Sequence, residues 1–170
     1  VETELMLADL ESLEKRKVNW VKKANSGDKE AKAQVALIDK ALDELNDGRP
    51  ARRAEVDDDD LKAWTMLQLL TAKPVLYVAN VDEASAATGN EYSQRVADYA
   101  KNEGSEYVVI SAQIEAEISQ LENDERAEFL ETLGLEEPGL NRLIHAGYSL
   151  LGLQTYITAG PKESRAWTIK

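Results

Sequence analysis

The sequence contains no cysteine and a single histidine, His145. Without cysteine there is no disulfide framework, no thiolate-bound zinc and no thiol nucleophile. One imidazole excludes metal sites built from several histidines. No apolar run approaches the roughly 18 residues of a membrane span, and no secretory leader pattern is recognisable, so no membrane partner is expected and a cytoplasmic setting is the default. Basic charge is also short. Twenty Lys and Arg stand against 32 Asp and Glu, a net of −12. That argues against a general polyanion binder, because phosphate contacts need clustered Lys and Arg. What remains is 170 residues, 43% hydrophobic and 31% charged, enough for one domain with a real core or a domain with an appendage.

Both ends suggest a piece of something longer. Val1 is not a start methionine, and Arg165-Ala-Trp-Thr-Ile-Lys170 reads as a strand interrupted in mid-run.

Charge divides the chain unevenly. Residues 1–53 hold 11 basic and 11 acidic side chains, so the whole negative balance lies beyond them. A compositional boundary is expected near Gly48-Arg49-Pro50. Before it, Met6, Leu10, Leu13, Lys17, Trp20 and Ala24 step by four and three, as do Ala31, Val35, Ile38, Leu42 and Leu45. These are coiled-coil seams. Asn25-Ser-Gly27 breaks the first helix and Asp28 is placed to cap the second. The expectation is an antiparallel α-helical coiled-coil hairpin with arms roughly 28 Å long. Lys17 is its weak position, tolerable because its stem can snorkel.

Asp57 to Asp60 precede Leu61, Trp64, Leu67 and Leu70, spaced as one helix. Without EF-hand spacing, the acids are better read as an N-terminal turn complementing the helix dipole than as a metal loop. After Pro74 the period changes. Val75-Leu-Tyr-Val-Ala79 is a continuous apolar run, the mark of a strand buried on both faces. A helix is expected over Glu91–Glu103, with Tyr92, Val96, Tyr99 and Ala100 on its apolar face and Gly104 ending it. Tyr107-Val-Val-Ile110 is a second buried strand, so the fold class is α/β with a parallel sheet. Helices are expected over about 113–132 and 139–150, and 152–170 alternates around a Gly160-Pro161 turn. Trp20 and Trp64 are core residues by default. His145 has no acid or nucleophile placed as its partner, so it reads as an edge-of-core residue.

Ligands of open parallel sheets gather at the carboxyl ends of strands. Two segments qualify, Asn80-Val-Asp-Glu83 and Ser111-Ala-Gln113. An Asn leaving a strand can hold a ring nitrogen or brace a neighbouring loop, and a carboxylate three residues on can accept from an amino group. Two ordinary βα turns are the plain alternative.

A strand ending in Asn-x-x-acid, a crossover helix and a strand ending in Ser-Ala-x form the base-recognition half of P-loop GTPases. Pro74-Val-Leu-Tyr-Val-Ala-Asn-Val-Asp-Glu83 looks like the altered fourth motif of the YchF/Obg-like ATPase family. Leu150-Leu-Gly-Leu-Gln-Thr-Tyr-Ile-Thr-Ala-Gly160, with Glu163 and Arg165-Ala-Trp-Thr168, is similar to that family's entry into its TGS domain. The chain thus resembles the family along nearly its whole length. The resemblance implies a helical insert over 1–53, the second half of a nucleotide-binding domain over 54–150 and the start of a TGS domain over 151–170. It places Asn80, Val81, Glu83, Ser111, Ala112 and Gln113 around the base.

The departures are informative. Val81 stands where GTPases carry Lys, and Glu83 where they carry the Asp that reads guanine. In the family this goes with a preference for ATP over GTP, hydrolysed with Mg2+ in the intact protein. No Gly-x-x-x-x-Gly-Lys-Ser/Thr occurs in the sequence. The resemblance puts phosphate loop, Mg2+ ligands and switches before Val1, so no catalytic or metal residue is expected here and the chain alone should be inactive. Residues 15–32 run against the overall charge, with seven basic and two acidic side chains. The family's association with ribosomes makes Lys22, Lys23, Lys29 and Lys32 candidates for contact with ribosomal RNA; a solvated helix face is the bland alternative. The rival class is a non-enzymatic coiled-coil interaction module that binds ribosome or RNA.

Overall fold

The computed structural model describes the whole chain except the side chains of residues 123 and 124, and the chain divides into two compact units, Val1–Pro74 and Val75–Lys170. Among the described residues no helix is long and apolar enough to cross a membrane.

The first unit is built on α1 (Glu2–Asn25) and α2 (Lys29–Asn46), which pack against each other. At about 1.5 Å per residue they run to about 36 and 27 Å. Asp28 caps α2, its carboxylate accepting from the Ala31 N–H at 3.1 Å, and Gly27 turns the chain at φ +96°. Lys17 is not an unpaired seam residue: its ammonium lies 2.6 Å from Asp39 on α2. The buried surface of α2 is wider than a two-position seam. Leu37 and Ala41 join Ala31, Ile38, Leu42 and Leu45 in it, because a third layer covers them. That layer is residues 51–74, whose Ala51, Trp64, Leu67 and Leu69 complete the core around Leu13. The charge boundary near residue 50 therefore lies inside a compact unit. Charge changes there; burial does not.

The helix expected over Leu61–Leu70 is shorter. α3 spans only Leu61–Thr65, following a 3-10 turn at Asp58–Asp60 that places the acids at its N-terminal end. Gln68 then takes a left-handed φ of +54°, which shifts the register so that Leu69 is buried and Leu70 is 42% exposed. The cause is side-chain capture of backbone. Asp9 of α1, 3% exposed, accepts from the Leu70 N–H, the Thr71 N–H and the Thr71 hydroxyl at 2.7–2.8 Å. Arg16 donates to the Leu67 carbonyl at 2.7 Å.

The second unit begins with a strand–helix–strand. β1 (Leu76–Asn80) and β2 (Glu106–Ile110) pair in parallel, Leu76 opposite Glu106 and Asn80 opposite Ile110. Between them α4 (Glu91–Glu103) has the expected bounds, opened by an Asn90/Ser93 capping box and closed by Gly104 at φ +70°. Its apolar face differs from the expectation. Ser93 and Ala100 are buried, whereas Tyr92 is largely exposed, and Tyr99 is half out with its ring edge-on to Tyr77. Nor is β1 buried on both faces: Val78 is 41% exposed.

The helix expected over 113–132 is two, α5 (Ala112–Ile118) and α6 (Asn123–Thr132), parted by a turn over 119–121. Folding back lets Ile114 and Ile118 share a small core with Leu130 and Ala86. α7 (Gly139–Leu151) packs on β1 and β2 and ends at Gly152. His145 on it is exposed. The last element is an antiparallel hairpin, β3 (Gln154–Ala159) with β4 (Ser164–Ile169), turning at Gly160-Pro161 as the alternation implies.

Candidate functional site

The two parallel strands end side by side, so the segments leaving them meet. The β-ladder runs one step past β1, the Val81 N–H donating to the Ile110 carbonyl at 2.9 Å. That bond fixes Asn80 beside the start of α5. Its Oδ1 accepts from the Ala112 N–H at 2.9 Å. A backbone N–H can be met only by the amide oxygen, so the rotamer of Asn80 is decided and its Nδ2 points elsewhere. Asn80 thus braces the neighbouring loop, with its donor end left over.

Beyond Asn80 one side chain turns in and the next three turn out. Val81 is buried at 9% exposure. Asp82 turns the chain by accepting from the Ser85 N–H at 2.9 Å, which sets Glu83 in an exposed 3-10 turn. On the second segment Ser111 is 3% exposed, and its hydroxyl has no hydrogen-bond partner. It stands at the cap position of α5 without capping it. Gln113, two residues on, is exposed.

These placements bring Glu83 and Gln113 to one groove of about 640 Å³, lined also by Asp82, Ala84, Thr132 and Leu133. Asn80, Val81, Ser111 and Ala112 are not among its lining residues. Thr132 and Leu133 were not legible as site residues, because they reach the groove only through the reversal between α5 and α6. The size falls within the range of small-ligand clefts, and a carboxylate beside a primary amide offers both acceptors and a donor to a flat heterocycle. For a metal the donor set is wanting: among the described residues no three His, Cys, Asp or Glu gather to hold one.

A half-buried carboxylate ties α5 to the start of α7. Glu115 of α5 accepts from the Gly139 N–H at 2.6 Å, filling the first turn of α7. Gly139 is buried there, and a Cβ on it would meet Glu115 Oε1 at 3.0 Å and Ile110 Cγ2 at 3.1 Å.

The four candidate lysines lie in the other unit. Lys22 and Lys23 end α1; Lys29 and Lys32 begin α2; all four are exposed. Lys23 sits over the Trp20 ring, 5.1 Å from its centroid.

Comparison with known proteins gives a consistent result. No protein-family model matches the chain. It is 48% identical over 169 residues to the ribosome-binding ATPase YchF of Pasteurella multocida and 45% identical over 172 to that of Bacillus subtilis, covering 99–100% of itself and 46–47% of each relative. The chain therefore spans just under half the length of these curated relatives. Among solved structures, the YchF GTPase of Schizosaccharomyces pombe superposes over 99% of the chain and 47% of its own, with a TM-score of 0.85 at 27% identity. The similarity to the YchF family, read first from a few motifs, holds along essentially the whole chain.

Proposed function

We propose that the chain is the base-recognising part of a ribosome-associated nucleotide hydrolase that prefers ATP to GTP, functioning within a longer polypeptide. One observation carries the reading: the segments leaving β1 and β2 are tied together at Asn80 and Ala112 beside a groove edged by Glu83 and Gln113. The similarity to proteins named ribosome-binding ATPase, over 99% of this chain, supplies the class of reaction. In this reading residues 1–53 are the helical insert, 54–150 the second half of the nucleotide domain and 151–170 the entry to a TGS domain, in a cytoplasmic protein.

The division of labour follows from the side chains. Asn80, Glu83 and Gln113 orient the base, and Val81 and Ser111 hold the loops that carry them. Phosphate cradle, Mg2+ ligands and the attacking water belong to residues outside this chain, where Mg2+ would neutralise charge developing on the phosphates. Glu83 disfavours guanine by length. A carboxylate one methylene longer than Asp overshoots the guanine edge, so the charged hydrogen bonds that select guanine are not made.

Binding of ATP and GTP to the full-length protein tests this. Val81→Lys with Glu83→Asp should move preference toward GTP by about tenfold, since each recovered bond to a charged group is worth about 1.5–3 kcal/mol. Because Val81 is buried, Glu83→Asp alone is the variant that spares packing, with a smaller shift in the same direction. An unchanged ATP-to-GTP ratio in both would assign specificity to backbone groups and contradict the role of Glu83.

A second reading, a non-enzymatic helical module that docks ribosome or RNA, is favoured by one feature. Four exposed lysines flank the α1–α2 turn of an otherwise acidic chain. Upstream coding sequence separates the two, a phosphate-loop signature supporting the first.

A further inference from the structure

The helical hairpin of the first unit carries an apolar face that its own core leaves uncovered, and this face lies outside the base-recognition reading. Lys17 and Trp20 belong to the seam between α1 and α2. Val18 and Val21 follow each by one residue, about 100° further round the helix. They therefore face sideways: Val18 is 56% exposed and Val21 half-buried. With Leu42 of α2, 8% exposed, they line a groove of about 710 Å³ between the two helices. Glu14, Lys17 and Lys22 line it too. Lys17 is occupied by Asp39 at 2.6 Å, whereas Glu14 and Lys22 have no ion-pair partner among the described residues.

We propose that this groove docks an acidic amphipathic helix of another protein. Its floor and its charge select that occupant together. From Glu14 to Lys22 the groove runs about 12 Å, two helical turns, which side chains at i, i+4 and i+7 of a facing helix would fill. Valines this exposed are covered by an apolar ridge; a phosphate backbone would meet Lys22 and leave them wet. Charge then sets the sign of the partner's flank. Residues 15–32 hold seven basic and two acidic side chains, in a chain whose net charge is −12. Carboxylates beside the ridge would meet Lys22, and an amide or ammonium at its other end would meet Glu14.

Site-directed photo-crosslinking tests this. The full-length protein is made with p-benzoylphenylalanine at Val18, or at Ser12 as the control, and irradiated in its own cells. Ser12 is exposed and lies nine residues, about two and a half turns, from Val21, on the opposite side of α1. Mass spectrometry then identifies what each label has joined. The label at Val18 should join a protein segment with apolar residues at i, i+4 and i+7 and an acidic flank, which the label at Ser12 does not reach. Adding Lys22→Glu should lower the yield of that adduct about two- to tenfold, as an exposed ion pair is exchanged for a like-charge contact. Lys22 is exposed in the last turn of α1, so this change leaves the packing of the hairpin intact.

Adducts to RNA, to a second copy of this chain, or to a segment without that acidic and apolar pattern overturn the proposal. So does a yield at Val18 no higher than at Ser12, or one that Lys22→Glu leaves unchanged.

Discussion

Asp9 is the residue on which the first unit turns. A carboxylate at 3% exposure survives burial only when its oxygens are met, and three donors from Leu70 and Thr71 meet them. Replacing it with Ala leaves two backbone N–H groups and a hydroxyl without acceptors, a loss of about 3 kcal/mol at the cost of one unsatisfied buried group or more. Asp9→Asn keeps one acceptor oxygen and should fall between the two. Urea denaturation followed by helical circular dichroism measures this. A change below about 1 kcal/mol in Asp9→Ala would mean that water reaches the 70–71 backbone and replaces the carboxylate. Gly139 has the opposite constraint, since it is space rather than charge that the site requires. Gly139→Ala drives a methyl group against Glu115 and Ile110 and should cost about 1–3 kcal/mol through overpacking. Thermal unfolding of the variant should show the loss in the second unit, and an unchanged midpoint would show that Ile110 gives way freely.

Elements were legible where a local signal settles them and obscure where tertiary contacts do. The bounds of α4 could be read because a capping Asn and a terminal Gly mark them, and Asp28 marks α2 in the same way. The parallel pairing of β1 with β2 followed from two apolar runs separated by one helix. The length of α3 did not, because Leu61, Trp64, Leu67 and Leu70 carry helical spacing that Asp9, 61 residues from Leu70, overrides by holding the backbone. The break between α5 and α6 was hidden for a related reason: nothing in 119–121 forbids a helix, and the reversal is stabilised by Leu130 reaching Ile114 and Ile118. At the site, Asn80 could be named but not assigned between holding a ring and bracing a loop. The choice depends on Ala112, which lies 32 residues away.

Across the whole molecule, charge and chemistry are kept apart. The two compact units have separate cores, the first around Leu13 and Ile38, the second around Ile114. The net charge of −12 excludes broad attraction to nucleic acid, so the proposed ribosome contact rests on the lysines at the α1–α2 turn. Reversing Lys22, Lys23, Lys29 and Lys32 to Glu should abolish co-sedimentation with ribosomes and leave nucleotide affinity intact, because none of the four lies in a buried surface. Wild-type binding should weaken as salt rises, by roughly 0.9 in log–log slope for each duplex phosphate neutralised. Co-sedimentation that persists in the quadruple variant would move the contact to another surface. The isolated chain should hydrolyse no ATP above background, and turnover that survives loss of Asn80 and Glu83 would contradict the assignment of catalysis to residues elsewhere. The most direct test of the central claim is photolabelling of the full-length protein with 8-azido-ATP, followed by peptide mapping. Label displaced by ATP should fall on the peptides containing residues 80–84 and 111–113, and ATP-displaceable label confined to other peptides would contradict the account.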